Sequence, residues 1–210
     1  MANDSGLFHT REELEATGWE LRGNCFVRDD RRMLPLYEAK MIHHFDHRLG
    51  TYEGQTQAQA NMGILPRLSL EQKRDPDYEA LPRYWVPEER VNERVEERWD
   101  KRWFIGWRDI CRSTDERTLI SSAFPWAAVP DGTLLMFPGI SQVGPLLGNL
   151  AAFVLDFVVR QKSGGTHLKY FTVKQLPVLP PKSYEIPAGW DRGVLLRDWI
   201  VDRVAELSCT

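Results

Sequence analysis

The strongest helical pattern of apolar positions lies between Pro145 and Lys162 (about 145–162). Apolar side chains recur there every three or four residues, with few polar interruptions. A helix that is apolar nearly all the way round has to be buried. Pro145 suits a first turn, and Lys162 followed by Gly164 and Gly165 suits the end, where glycine readily takes the left-handed conformation. The pattern predicts one buried helix with Phe153 in its core face.

Alternation of apolar and polar positions predicts the strands. WELRGNCFV (19–27) turns at Gly-Asn and predicts a hairpin. Three short runs separated by turn residues predict a small antiparallel sheet against the buried helix; they are WFIGWRDI (103–110), RTLISSAF (117–124) and TLLMF (133–137). LKYFTV (168–173) predicts a further strand. The fold class is therefore expected to be α+β, with a small antiparallel or mixed sheet packed on a buried helix and additional peripheral helices.

Caps and spacing predict the peripheral helices. Thr10 begins one, with Glu13 in capping-box position, and Pro87 begins an amphipathic one. A last helix is predicted over Trp190–Leu207. The range 55–77 has no clear period and is predicted to be a loop or mobile insertion.

Composition limits the classes of protein to consider. The chain has 210 residues, of which 42% are hydrophobic, which predicts a single globular domain over 1–210. The net charge of −3 means that binding to nucleic acid has to come from local patches. Three cysteines without paired spacing indicate neither disulfides nor zinc, which fits a reducing cytoplasm. The sequence contains no window of 18 uninterrupted apolar residues, so no membrane span is predicted.

The candidate chemistry lies in a basic turn after the buried helix. From Arg160 to Lys174 the chain has cations and no acidic residue, around two glycines that let the backbone approach a ligand. The segment Val27–Tyr52, rich in cations, aromatics and histidines, is predicted to be an exposed, ligand-facing strand and loop region. Phosphates and base edges call for such residues. The predicted DNA-contacting residues are Lys40, His43, His47, Arg48, Arg108, Arg112, Arg117, Lys162, Gly164, Gly165, Thr166, His167 and Lys169.

The same residues are open to other chemical interpretations. Asp30, Glu38 and Lys40 imitate the acidic pattern of metal-dependent nucleases. His43 and His47 would share one face of a helix, although no third metal ligand accompanies them. Aromatic residues of 103–110 serve either the core or base stacking. No catalytic residue and no metal site is assigned on this basis.

Four stretches carry a resemblance to a known family. They are LPLYEAKMIHHFDHR (34–48), RYWVPEERV (83–91), WFIGWRDICRSTDERTLISSAFP (103–125) and the run LLGNLAAFVLDFVVRQKSGGTHLKYFTVKQLPVLPP (146–181). Together they resemble the C-terminal, TaqI-like specificity domain of large adenine-N6 DNA methyltransferases of type IIG restriction–modification and phage-defence systems. The resemblance implies a DNA-recognition module that positions double-stranded DNA for an upstream methyltransferase domain, which binds S-adenosylmethionine.

The chain departs from whole enzymes of this family. It has neither the Asn-Pro-Pro-Tyr or Asp-Pro-Pro-Tyr tetrapeptide nor a glycine-rich cofactor loop. We therefore expect no cofactor and no enzyme activity in this chain alone, which resembles a piece of a longer polypeptide whose parent methylates DNA, with or without cleaving it. The alternatives are a structural or protein-interaction domain of a defence complex and, less favoured, the nuclease. A concave face shared by Arg160, Lys162, Lys169, Arg108 and Lys40 would favour DNA binding, and the same cations scattered in ion pairs would favour a scaffold.

Overall fold

The computed structural model describes residues 4–139 and 141–209. The fold class is α+β, as predicted. The helices are α1 (Arg11–Ala16), α2 (Gln57–Asn61), α3 (Leu70–Arg74), α4 (Glu88–Val95), α5 (Val143–Leu150), α6 (Phe153–Lys162), α7 (Tyr170–Val173) and α8 (Leu196–Ser208). The strands are β1 (Glu20–Arg22), β2 (Cys25–Arg28), β3 (Arg31–Pro35), β4 (Trp85–Pro87), β5 (Trp103–Arg108), β6 (Ser121–Pro125), β7 (Thr133–Met136), β8 (Pro187–Ala188) and β9 (Asp191–Leu195).

The strands form three antiparallel sheets. The first has the order β1-β2-β3-β4 and contains the predicted hairpin, in which Leu21 pairs with Phe26. The second has the order β6-β5-β7 and confirms the three strands predicted from 103–137. The third is the short hairpin of β8 and β9. Because β5 lies in the middle of its sheet, both of its edges are already occupied.

Two predicted helix starts are confirmed. The Thr10 hydroxyl accepts a hydrogen bond from the Glu13 backbone N–H, and the Glu13 carboxylate accepts one from the Thr10 N–H, so α1 begins with a complete capping box. Helix α4 begins directly after Pro87, and Val91 and Val95 are buried on its inner face.

The prediction of a single buried helix over 145–162 is wrong. The chain forms α5 and α6 instead, with Ala152 extended between them and a bend of 62°. The Arg117 guanidinium donates to the Ala151 carbonyl at the break, so this end of α5 is satisfied by a residue distant in sequence. Because the bend turns α6, Phe153 is 79% exposed and does not belong to the core.

Helix α5 packs closely on α8 through two glycines one turn apart. A Cβ atom at Gly148 would lie 2.9 Å from the Ile200 side chain, and one at Gly144 would lie 3.0 Å from that of Val201. Larger residues would push the two helices apart. The predicted last helix is therefore present, although it begins at Leu196, and the residues before it form β8 and β9.

The segment LKYFTV is also not a strand. Leu168 donates its N–H to the Asp109 carbonyl, but the chain then turns into the short helix α7. Since β5 is paired on both sides, the backbone of that strand offers this segment hydrogen-bond partners only beyond Arg108, at Asp109. Gly164 and Gly165 do not have positive φ, and α6 ends at Ser163 in an extended conformation.

Two surface predictions are corrected. The range 55–77 contains α2 and α3, which begin with capping boxes at Thr56 and Ser69. Within 27–52, the run Met33–Tyr37 is buried, as are Met41 and Ile42, so this segment supplies the core as well as the surface.

The main core joins the second sheet to 34–42, α4, α5 and α6, and a smaller cluster lies under the first sheet. Among the described residues no single helix is long and apolar enough to cross a membrane; the bent pair α5 and α6 reaches that length and apolarity only together.

Candidate nucleic-acid interface

The basic turn is attached to the end of the central strand β5. Beyond Arg108 the chain bends at Asp109 and forms an isolated antiparallel bridge between Ile110 and His167, and the Leu168 N–H donates to the Asp109 carbonyl at 2.7 Å. The Cys111 N–H donates to the Thr166 carbonyl at 3.0 Å, and the Trp107 indole N–H donates to the Leu168 carbonyl at 2.7 Å. These bonds fix the turn on a rigid sheet, as a binding surface requires.

Asp109 organises the side chains of this turn. Its carboxylate is 4% exposed, and Oδ2 lies 2.7 Å from His167 Nδ1 and 2.9 Å from Lys169 Nζ. Burial by itself would raise the pKa of Asp109, but the hydrogen bonds from Lys169 and His167 hold that pKa below its ordinary value. The hydrogen bond to Asp109 raises the pKa of Lys169 in turn.

The Asp109 contact also fixes the chemistry of His167. An ionised carboxylate can only accept, so Nδ1 of the imidazole carries the proton in this bond. The His167 side chain is half exposed, which leaves Nε2 available to a ligand. Asp109 Oδ1 is buried and has no hydrogen-bond partner among the described residues.

Several predicted contact residues lie on this exposed surface. Arg112, Lys162 and Thr166 are exposed, and a Cβ atom at Gly164 or Gly165 would meet nothing within 4 Å. Arg112 and Lys162 flank the contact between the Cys111 sulfur and the Ser163 hydroxyl, which are 3.7 Å apart. We call this surface, formed by Arg112, Lys162, Gly164–His167 and Lys169, the basic-turn surface.

Three other predicted arginines are used inside the protein. Arg48 is 6% exposed and donates to the backbone carbonyls of 73, 75 and 78, so it holds the loop around α3 and, contrary to the prediction, is not an exposed contact residue. Arg117 is mostly buried and donates to the Ala151 carbonyl. Arg108 donates from Nε and Nη2 to the Ile42 carbonyl, and burial together with nearby Arg67 lowers its pKa to about 10.

The remaining predicted residues lie apart from the basic-turn surface or are only partly exposed. Lys40 lies 3.8 Å from Glu38 and over the Tyr52 ring. Burial, and then Arg108, lowers the pKa of His43, while burial followed by Arg48 lowers the pKa of His47. The two histidines are not on one helix, because 43–46 form a tight turn.

The structure does not bring Asp30 and Glu38 together into the acidic site that a nuclease would need. Asp30 lies in the turn before β3, and Glu38 lies beyond the other end of that strand, where it accepts a hydrogen bond from the Tyr52 hydroxyl. In residues 4–139 and 141–209 there is no group of three or more His, Cys, Asp or Glu residues placed to hold a metal ion. Phe104 and Trp107 are buried, so these aromatics serve the core and do not stack on bases.

Sequence reasoning missed the two carboxylates that organise this region. In the sequence Asp109 resembles a simple partner of arginines, although its position directly after a strand is a signal for a polar site. Asp156 resembles an interruption of an apolar helix. It is buried, its Oδ1 accepts from the backbone N–H groups of Thr118 and Leu119, and its Oδ2 lies 3.1 Å from Arg160 Nε.

Comparison with known proteins adds no family to this description. No family model, curated protein or solved structure matches the chain. The class that fold and site define is an α+β domain with a pre-organised basic turn at the end of its central strand.

Proposed function

We propose that this chain is the DNA-specificity domain of an adenine-N6 methyltransferase of a restriction–modification or phage-defence system. The observation that carries the proposal is the basic-turn surface, where Asp109 holds His167 and Lys169 on the end of β5. The resemblance of four sequence stretches to such domains supports the same function. Double-stranded DNA is then the ligand, and the cytoplasm is the compartment.

The basic-turn surface has the groups that a phosphate backbone requires. Arg112 and Lys162 are exposed and have no ion-pair partner within the part of the chain that the structure describes. The open space over Gly164 and Gly165 lets a phosphate approach the backbone N–H groups. Thr166 and His167 add a hydroxyl and an imidazole nitrogen, which are able to contact a base edge or a phosphate.

Catalysis is proposed to reside elsewhere in a longer polypeptide. The methyltransferase tetrapeptide and a cofactor loop are absent from the sequence. In this proposal an upstream domain binds S-adenosylmethionine and extrudes the target adenine, while this chain positions the DNA.

Removing two exposed cations tests the interaction with the DNA backbone. The double variant Lys162→Ala/Arg112→Ala should bind all duplex sequences more weakly, and the magnitude of its log–log salt slope should fall by about 1 for each phosphate that the variant no longer neutralises. Its free energy of unfolding should change by less than about 0.5 kcal/mol, because both side chains are exposed. Fluorescence titration of labelled duplex DNA at several salt concentrations measures the affinity and the slope, and urea unfolding measures the stability.

A matched control separates local binding from overall charge. Lys182 and Arg192 are exposed; Lys182 precedes β8 and Arg192 lies in β9, so Lys182→Ala/Arg192→Ala removes the same charge from outside the basic-turn surface. This control should keep the wild-type salt slope. Equal losses of affinity in both double variants would contradict DNA binding at the basic turn.

His167→Ala tests whether the turn also reads sequence. If Nε2 contacts a base edge, the variant should lose about 1–3 kcal/mol of discrimination at one position of the recognition site. Competition between the cognate duplex and single-position variants, measured in the full-length enzyme, gives that quantity. A uniform loss at all positions would assign His167 to a phosphate instead.

A protein-interaction domain is the second candidate function. Phe153, Val154 and Phe157 are exposed together on α6, and such a patch is typical of a surface that binds another protein. In addition, Arg108, Arg160, Lys40 and Lys169 are each engaged by protein groups, which is the arrangement that favours a scaffold over a shared DNA-binding face. If the wild-type domain does not bind DNA in the titration above, this candidate replaces the first.

A further inference from the structure

A large open cavity lies at the other end of the second sheet. Its volume is about 980 Å³, and it lies between the β1–β2 hairpin, the loop around α3 and the start of β5. Arg102, which lines it, precedes β5, whereas Asp109 follows that strand. The length of the strand separates them by roughly 20 Å. The cavity is therefore distinct from the basic-turn surface.

Nearly all the charged residues that line this cavity are cations. Its basic residues are Arg22, Arg32, Arg48, Lys73, Arg74 and Arg102. Glu79 is the acidic residue among its lining residues, and the Glu79 carboxylate accepts a hydrogen bond of 2.7 Å from the Asn24 N–H. A concave site lined by charges of one sign concentrates ions of the opposite sign.

The carboxylates that pair with these cations lie outside the lining. Arg32 lies 3.5 Å from Glu88, and Arg102 lies 3.9 Å from Glu96. These two solvent-exposed pairs contribute little, so an entering anion can displace them. Lys73, in contrast, is held by Asp46 in a mostly buried ion pair and is not free for an anion. Arg74 is exposed and has no ion pair within the described ranges.

Arg48 gives the cavity a buried positive charge. Its guanidinium is satisfied only by backbone carbonyls, and its Nε is buried without a hydrogen-bond partner among the described residues. A buried cation that has neither a carboxylate partner nor all its hydrogen bonds is costly to maintain. A bound anion would lower that cost.

We propose that this cavity binds a phosphate group. Guanidinium groups match phosphate oxygens in charge and in hydrogen-bond geometry, and several converge here on one concave space. The volume admits a phosphate with further groups attached to it. The phosphate belongs either to a small molecule such as a nucleotide or to the DNA backbone.

The lowered pKa of His47 agrees with a positively charged cavity. His47 lines it, and burial, Arg48 and Lys73 together lower the pKa of His47, while Asp46 opposes them. A bound anion would offset the effect of Arg48 and Lys73 on the pKa of His47. The pKa of His47, followed by NMR, should therefore rise when pyrophosphate binds.

Calorimetric titration with pyrophosphate at constant ionic strength tests the site. The wild-type chain should bind pyrophosphate, and Arg32→Gln/Arg74→Gln should weaken that binding about tenfold or more. Both side chains are exposed, so the variant should remain folded. The matched control Lys182→Gln/Arg192→Gln should keep the wild-type affinity. Absence of pyrophosphate binding by the wild type, or equal losses in the two variants, would overturn the proposal.

Duplex DNA in the same assay distinguishes the sources of the phosphate. If DNA supplies it, duplex DNA displaces pyrophosphate and Arg32→Gln/Arg74→Gln also loses DNA affinity. If a small molecule supplies it, a nucleotide displaces pyrophosphate and DNA affinity is unchanged. The basic-turn variant Lys162→Ala/Arg112→Ala should bind pyrophosphate normally, so the outcome here is independent of the proposed DNA interface.

Discussion

Truncation of Phe104 to alanine is expected to lower the free energy of unfolding by about 3–5 kcal/mol. The Phe104 side chain is fully buried near the start of β5, and its ring packs on Trp126 at 4.8 Å and on Phe124 at 5.9 Å between ring centroids. The cost combines the loss of apolar burial with a cavity that the surrounding packed core cannot fully close. Urea unfolding followed by tryptophan fluorescence measures it.

Phe153→Ala is the matched control for this result. Its ring is 79% exposed, and the Arg117 guanidinium lies over it at 4.5 Å. We expect a loss of less than about 1 kcal/mol, which is the contribution of an exposed cation–π interaction. A large loss at Phe153 together with a small one at Phe104 would mean that α6, and not the second sheet, is the core element.

Asp156→Ala is expected to destabilise the fold by a similar amount, about 3–5 kcal/mol. The variant would leave the N–H groups of Thr118 and Leu119 without their acceptor. It would also leave Arg160 and Arg117 without their carboxylate, although both keep hydrogen bonds to backbone carbonyls. The break between α5 and α6 should loosen as a result. Thermal and urea unfolding measure the loss, and Asp115→Ala, an exposed carboxylate in the same region, should change stability by less than about 0.5 kcal/mol.

The contribution of Asp156 also has a defined dependence on pH. Burial would raise its pKa, but hydrogen bonds from Leu119, Arg160 and Thr118 and the charge of Arg117 hold the pKa below its ordinary value. A carboxylate with a depressed folded-state pKa stabilises above its unfolded-state pKa of about 3.9, and that contribution is lost as pH falls through the folded value. The difference between wild type and Asp156→Ala should therefore shrink in acid. A difference that does not change between pH 7 and pH 2 would show that ionisation of Asp156 is not its source.

Features with local causes were predictable from sequence. The Thr10 capping box, the Gly23-Asn24 hairpin and the strands of 103–137 depend on residues that are neighbours in the chain, so their pattern predicts them. The capping boxes at Thr56 and Ser69 are equally readable, since each has Gln three residues later, but the lack of apolar periodicity in this segment hides the helices that they begin.

The candidate site was predictable only in part. The basic turn and its exposure followed from composition, whereas the partners of its side chains did not. Arg48 and Arg108 look alike in sequence to the exposed Arg112, yet their guanidinium groups bind carbonyls that lie between 25 and 66 residues away. The sequence near an arginine does not indicate that its hydrogen-bond acceptor is a carbonyl so far away along the chain.

The sequence by itself determined the α+β class, the strands around β5 and the location of the basic turn. The tertiary structure decided where the apolar helix breaks and which face of α6 meets solvent, because Arg117 and Asp156 bridge that break to a distant loop. It also decided that LKYFTV is not a strand, because β6 and β7 already occupy both edges of β5. Local propensity differs by only about 1 kcal/mol between conformations, and buried hydrogen bonds and ion pairs outweigh it once the chain is packed.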